Sequence, residues 1–306
     1  MKVLVATEKP FSKIAVDQIR EIVEKGGHTL ALLEKYTDVA QFYEAVADAD
    51  ALIVRSDKVT REVIAAAKNL KIVVRAGAGF DNLDLAACTE RGIVAMNTPG
   101  QNSNAVAELA IGMMIYISRN CFTPGTGSEL KGKTLGIQAY GNVGRLVAEH
   151  AKSFGMKIMA FDPFVPAEKI QAEGVEVAAT LEELYEKSNF VSLHIPATEQ
   201  TKGSINYNLL SRMPKGGCLV NTARKEVINE AELVKVLEER EDLKYVTDIA
   251  ASNQAELNEK FGKRVFATPK KMGAETAEAN VNAGVAAANQ ICDYFATGNT
   301  RFQLNK

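Results

Sequence analysis

Apolar residues along this chain come in short β-branched runs separated by amphipathic stretches of helical period. The runs Val3–Ala6, Leu30–Leu33, Leu52–Val54, Ile72–Val74 and Ile93–Ala95 predict strands. Lys13–Lys25, Val39–Ala49, Thr60–Asn69 and Leu85–Arg91 predict the helices between them. Such β-α-β-α alternation predicts a parallel sheet with helices on both faces. The pattern breaks at Asn97-Thr98-Pro99-Gly100. A long Ala-, Ile- and Met-rich stretch, Ser103–Arg119, then suits a helix wedged between two bodies. Cys121–Lys133, with Pro124, Gly125, Gly127 and Gly132, predicts a loop. The alternation restarts with strands at Leu135–Ala139, Lys157–Phe161, Phe190–Leu193, Cys218–Asn221, Tyr245–Thr247 and Val265–Ala267, and closes on an Ala-rich helix, Thr276–Ala296. The chain is therefore α/β, in two separate rounds.

The second round opens on Thr134-Leu135-Gly136-Ile137-Gln138-Ala139-Tyr140-Gly141-Asn142-Val143-Gly144, a strand running into a glycine turn, followed by a helix, Arg145–Phe154, and a strand ending at Asp162. That is a dinucleotide-binding βαβ unit of Rossmann type. Gly141 lets backbone approach a pyrophosphate, the helix N-terminus with Asn142 and Val143 offers free N–H groups, and Asp162 accepts from ribose hydroxyls. Ala139 stands where the usual pattern has its first glycine. Pro163 and Phe164 follow Asp162, with no nearby Arg for a 2′-phosphate, so NAD is expected rather than NADP.

Bulk properties narrow the partners. A net charge of −2 gives no general basic field for nucleic acid, and no apolar run reaches the roughly 18 residues of a membrane span. The N-terminus turns polar too quickly for a signal peptide. Cys88, Cys121, Cys218 and Cys292 are scattered without CxxC spacing, which suits a reducing cytoplasm and argues against a metal site.

Three stretches carry a family resemblance: Val74-Arg75-Ala76-Gly77-Ala78-Gly79-Phe80-Asp81-Asn82-Leu83-Asp84 with Arg91-Gly92-Ile93 and Met96-Asn97-Thr98-Pro99; Leu219-Val220-Asn221-Thr222-Ala223-Arg224; and Leu52-Ile53-Val54-Arg55-Ser56. Together they resemble the D-2-hydroxyacid dehydrogenases, and within them the 3-phosphoglycerate-oxidising members. The resemblance implies two Rossmann-like doubly wound domains with a cleft between them. It divides them as a substrate domain, 1–98 with 275–306, and an inserted NAD domain, 99–274. It also implies a homodimer through the NAD domain. The serine-pathway enzymes often carry a C-terminal regulatory domain, and none is expected here. The Cys121–Lys133 linker reads as shortened, without the tryptophan common there.

The implied chemistry moves a hydride between the 2-carbon of a small hydroxyacid and NAD. Arg224 matches the arginine that grips carboxylate and 2-oxygen, a task its planar fork suits. The family's proton carrier is a histidine paired with a glutamate, and neither is in place. His28, His150 and His194 are the only histidines. His194-Ile195-Pro196 matches the segment beside the nicotinamide. Where the histidine is expected the chain reads Thr268-Pro269-Lys270-Lys271-Met272-Gly273. Counting forward selects Lys270; counting back from the glycine turn selects Lys271, the preferred reading. Asn253 stands at the glutamate position, and Glu256 is a candidate substitute. A lysine of ordinary pKa about 10.4 needs depression to act as a base. Arg224, the neighbouring lysine and burial would all push that way.

On the substrate side, the Ala76-Gly77-Ala78-Gly79 turn offers backbone N–H groups, and Arg55, Lys58 and Arg75 add positive charge for a second anionic end. Arg55, Ser56 and Asn102 match phosphoglycerate-type members. The resemblance adds cofactor contacts at Tyr140, Pro163, Thr201, Thr222, Ala223, Asp248 and Gly273. The expected reaction is NAD-dependent oxidation of 3-phospho-D-glycerate to 3-phosphohydroxypyruvate, the entry to serine synthesis. Alternatives are hydroxypyruvate, glyoxylate or erythronate 4-phosphate chemistry, or an NAD-binding sensor without turnover.

Overall fold

The computed structural model describes all 306 residues, and the chain divides into two compact units, Met1–Asn102 with Glu275–Lys306, and Ser103–Ala274. In the first unit, β1 (Lys2–Thr7), β2 (Thr29–Glu34), β3 (Ala51–Val54), β4 (Ile72–Arg75) and β5 (Val94–Asn97) form a parallel sheet in the order β2-β1-β3-β4-β5. Strand alternation sorts the core into two faces. Leu4, Ala6, Leu52, Val54 and Val73 meet Phe42 and Val46 of α2 (Val39–Val46), Val63 and Ile64 of α3 (Arg61–Ala66) and Cys88 of α4 (Leu85–Glu90). Val3, Val5, Ile53, Ile72 and Val74 meet Ile19 and Val23 of α1 (Lys13–Lys25) and Ala287 and Ile291 of the C-terminal helix, Ala277–Thr297.

Boundaries moved where tertiary bonds override local pattern. The fifth strand was expected at Ile93–Ala95, but the Ile93 N–H is spent on the Cys88 carbonyl that ends α4, so pairing begins at Val94. α3 stops short of Asn69 because Ala67 is already extended.

The second unit is a seven-stranded parallel sheet, β12-β11-β10-β9-β6-β7-β8. Its strands are β6 (Thr134–Gln138), β7 (Lys157–Phe161), β8 (Glu176–Val177), β9 (Phe190–Leu193), β10 (Cys218–Asn221), β11 (Lys244–Thr247) and β12 (Val265–Ala267). The winding reverses between β6 and β9, the place where doubly wound sheets bind ligands. One face is covered by α5 (Ser103–Ser118) and α6 (Asn142–Ser153) with α7 (Ala167–Ala172). The other is covered by α8 (Leu181–Lys187), α9 (Tyr207–Leu210), α10 (Glu230–Glu239) and α11 (Gln254–Phe261). α5 is apolar enough to bury Val106, Ala110, Met113, Met114 and Ile117. No helix is long and apolar enough to cross a membrane.

Candidate active site

The glycine turn joins β6 to α6. Ala139, where a glycine was expected, adopts φ +75°, a left-handed conformation that costs an L-residue about 1–2 kcal/mol. The two remaining glycines serve different ends. A Cβ on Gly144 would lie 2.3 Å from the Ala139 carbonyl oxygen, so Gly144 is what lets α6 close on its strand. Gly141 sits at an ordinary φ of −84°, and a Cβ there would meet nothing within 4 Å. Neither backbone nor packing demands glycine at 141, so its outer side is open for close approach of a ligand. No side chain caps α6, which leaves its first amides for an anion.

This pair gives a discriminating expectation. Gly144→Ala should lower unfolding stability by about 1–3 kcal/mol through overpacking. Gly141→Ala should leave stability unchanged and weaken NAD binding. Thermal unfolding beside NAD titration checks both; equal melting shifts in the two variants would contradict the assignment.

Asp162 follows β7 with both oxygens in use: Oδ2 accepts the Tyr140 N–H at 2.7 Å and Oδ1 the Phe164 N–H at 2.8 Å. The carboxylate therefore pins the glycine turn and keeps one lone pair per oxygen for a ribose. Tyr140, expected as a cofactor contact, has its side chain buried in the core, with its hydroxyl donated to Glu173. Pro163, like Asn142, is exposed, and Val143 is half-buried.

The next three parallel strands end in a row of unpartnered polar atoms. His194 Nε2 after β9, Thr222 Oγ1 after β10 and Asp248 Oδ1 after β11 are all enclosed and without a hydrogen bond, which buried polar groups rarely are. Such enclosed, unpartnered atoms are free to bond polar groups of a bound cofactor, such as a nicotinamide carboxamide. Ile195 is half-buried and Pro196 exposed. Thr201, expected on the cofactor, closes the following loop: its hydroxyl donates to the Pro196 carbonyl at 2.5 Å and accepts the Thr198 N–H at 2.7 Å. Ala223 is likewise committed, its N–H to Asn221 Oδ1 at 3.0 Å and its carbonyl to Arg224 at 2.9 Å.

His194 keeps part of its surface at solvent, but its ring nitrogen is enclosed, and burial pushes its pKa down to about 3. It is neutral at any working pH and cannot be the missing acid/base. The ordinary histidine value is about 6.5. Below that pH the unfolded chain binds a proton that the folded chain refuses until about pH 3. His194 therefore subtracts stability as pH falls through that window, by at most about 1.4 kcal/mol per pH unit. His194→Gln should flatten the acid limb of a denaturant-unfolding series; parallel curves for the two proteins would refute the burial.

Arg224 follows β10 on a turn held by Asn221, whose Nδ2 donates to the Arg224 carbonyl at 3.0 Å. Sequence reading did not single out Asn221, although an Asn closing a strand-to-loop turn is its signal. The guanidinium spends one bond on the Ala223 carbonyl. Asp248 is fully buried, and its Oδ2 accepts the N–H groups of Gly273 at 2.8 Å and Met272 at 3.3 Å. A Cβ on Gly273 would sit 2.9 Å from that oxygen. Burial raises the Asp248 pKa. The Gly273 amide, the Lys271 charge, the Met272 amide and the Arg224 charge all act the other way. One carboxylate thus feels both Lys271 and Arg224. Lys270 is exposed and gives its backbone carbonyl to the Thr268 hydroxyl at 2.7 Å. Glu256, the candidate substitute glutamate, is tied to Lys260 at 3.0 Å and to Asn253, and Lys260 holds its pKa low.

In the first unit, the Arg55 guanidinium lies over Phe11 and donates to the Lys9 carbonyl at 3.3 Å and to Asn280. Arg75 Nε donates to the Arg55 carbonyl at 3.0 Å. Gly77 sits at φ +148°, a backbone conformation that L side chains rarely adopt, and the Arg75 guanidinium lies in the space a Cβ would take. Asn97 and Thr98 hold the turn through Ala78 and Gly77. Ser56 is exposed and Asn102 half-buried.

Residues 108–270 match the family described as D-isomer specific 2-hydroxyacid dehydrogenase, NAD binding domain. The chain is 36% identical over 280 residues to a hydroxypyruvate reductase of Thermotoga maritima, covering 86% of this chain and 90% of that one. It is 37% identical over 266 residues to a D-3-phosphoglycerate dehydrogenase of Methanocaldococcus jannaschii, covering 82% of this chain and 51% of the relative. It therefore spans about half the length of that curated relative. A crystal structure of NAD+-bound 3-phosphoglycerate dehydrogenase from Entamoeba histolytica superimposes with a TM-score of 0.88 at 52% identity, covering 100% of this chain and 99% of that one. With the glycine turn, the paired α/β units and these matches in hand, the chain belongs to the D-isomer specific 2-hydroxyacid dehydrogenases and carries their NAD-binding domain.

Proposed function

We propose that the chain oxidises 3-phospho-D-glycerate to 3-phosphohydroxypyruvate with NAD, and runs the reverse reduction. The observation that carries the reading is the cluster in which buried Asp248 feels the charges of both Lys271 and Arg224. NAD, when bound, supplies the hydride acceptor. Its pyrophosphate belongs on the open side of Gly141 and the α6 N-terminus, its ribose at Asp162. The free Oδ1 of Asp248 suits a carboxamide N–H. Thr222 and neutral His194 line the same row.

Arg224 grips the substrate carboxylate and the 2-oxygen with donors left over from its bond to Ala223. Lys271, as a neutral amine, takes the 2-hydroxyl proton while the 2-hydrogen leaves as hydride; the C–O bond becomes a carbonyl. As an ammonium it returns that proton in reduction. Lys271 is favoured over Lys270 because its charge reaches Asp248. Arg55, Ser56, Arg75, the Gly77 turn and Asn102 are assigned to the phosphate and carboxylate end.

The likeness to a hydroxypyruvate reductase over 90% of that enzyme's length favours a second reading, reduction of an unphosphorylated keto acid. Steady-state reduction of 3-phosphohydroxypyruvate, hydroxypyruvate and glyoxylate decides between them. The phosphorylated substrate should have the highest kcat/KM, by about tenfold or more if the arginines bind its phosphate. Equal or better kcat/KM for hydroxypyruvate transfers the assignment to the second reading.

A further inference from the structure

The sheet of the first unit also reverses its winding, between β1 and β3, and open α/β sheets bind ligands beyond the carboxyl ends of their strands at such points. A cavity of about 500 Å³ opens there, on the face covered by α2 and α3. That volume lies within the range of small-molecule sites, roughly 300–1,000 Å³. Although Arg55 lines its edge, the Arg55 guanidinium is turned to the opposite face, toward Phe11 and Asn280.

The buried charge of this cavity is Asp57, 7% exposed. Its Oδ1 already accepts two donors, the Glu8 N–H at 2.7 Å and the Tyr36 hydroxyl at 2.8 Å, while Oδ2 accepts none. Tyr36 and Phe42, 5.6 Å between ring centroids, form an aromatic wall with Tyr43. Val39, 51% exposed, is an apolar lip. Lys9 and Lys58 line the cavity without entering any of the chain's ion pairs.

These groups ask for different things. A buried carboxylate with an unused oxygen takes a cationic donor and repels a bare phosphate. Two unpaired ammoniums take an anion. Aromatic walls hold apolar surface and favour a nearby cation. A small frame that carries all three is a zwitterion with a large side chain. We propose that this cavity binds a free α-amino acid with a large apolar or aromatic side chain. Its ammonium bonds Asp57 Oδ2, its carboxylate lies between Lys9 and Lys58, and its side chain rests on Tyr36 and Tyr43. The site uses residues of the first unit alone; Arg55 and Ser56, assigned above to the substrate, line its edge, but none of the three proposed contacts falls on them.

The test is calorimetric titration of the full chain with L-phenylalanine, L-tyrosine, L-leucine and L-methionine. It is repeated with phenethylamine, which lacks the carboxylate, and 3-phenylpropionate, which lacks the ammonium. At least one amino acid should bind, and each truncated analogue should bind about tenfold or more weakly, since each loses a charge-assisted contact. Val39→Trp, which fills the lip, and Lys58→Glu should abolish or weaken amino-acid binding while NAD affinity and melting temperature stay unchanged. Absence of binding by all four at millimolar concentration overturns the proposal. So does equal binding of either analogue, or binding indifferent to Val39→Trp.

Discussion

Lys271→Ala should lose about 10²- to 10⁴-fold in kcat for 3-phospho-D-glycerate oxidation, the span that a positioned acid/base supplies, with NAD affinity unchanged. Lys270→Ala should remain within a few-fold of wild type, because its charge is not among those acting on Asp248 and its backbone serves only the Thr268 hydroxyl. The sign of the pH effect follows from the chemistry. Oxidation needs the neutral amine, and an ordinary lysine, pKa about 10.4, is only about 0.4% neutral at pH 8. The wild-type oxidation rate should therefore rise with pH between about 7 and 10, and reduction should fall. In Lys271→Ala the dependence should vanish. His194 cannot impose it, because its ring is already neutral throughout that interval. Rates measured across that range for both variants check the assignment. A pH profile surviving in Lys271→Ala but lost in Lys270→Ala would give the role to the other lysine.

Arg224→Met should reduce kcat/KM by about 10²- to 10³-fold, the cost of removing a preorganised donor aimed at developing charge. Arg224→Lys should recover little, since a point charge cannot reproduce a planar fork that meets carboxylate and carbonyl together. The protein itself should tolerate both changes: the guanidinium makes a single hydrogen bond, to the Ala223 carbonyl, and the turn is held by Asn221. Circular dichroism and NAD titration should match wild type while activity falls. A destabilised protein, or one that loses NAD in step with activity, would mark Arg224 as structural.

The alternation of apolar runs was enough to read both sheets, because a buried parallel strand is a nearly continuous apolar run and its crossover helix an amphipathic one. Lys13–Lys25 was read to the residue, with Ser12 capping it. β8 was invisible: two residues, Glu176–Val177, carry no period. At the site, backbone geometry was legible in glycines and side-chain allegiance was not. Gly141 and Gly144 could be read as one motif, yet only the fold separates open space at the first from tight packing at the second. Thr201, Ala223 and Tyr140 were expected on the cofactor; in the structure the Thr201 hydroxyl bonds the Pro196 carbonyl, the Ala223 N–H bonds Asn221 and the Tyr140 hydroxyl bonds Glu173. A linear motif cannot say which bond a hydroxyl or amide has already made. Counting likewise could not separate Lys270 from Lys271; the charge of Lys271, and not that of Lys270, acts on Asp248, which is the ground of the proposal.

The most direct measurement is NADH formation by the wild-type chain with 3-phospho-D-glycerate, run beside NADH consumption with 3-phosphohydroxypyruvate and NAD titration of the same preparation. Turnover in both directions, with the hydroxyacid reaction favoured at higher pH, is the expected result. NAD binding without hydride transfer in either direction, for this substrate and for hydroxypyruvate and glyoxylate alike, would contradict the account and leave a chain that keeps the family's NAD site without its chemistry.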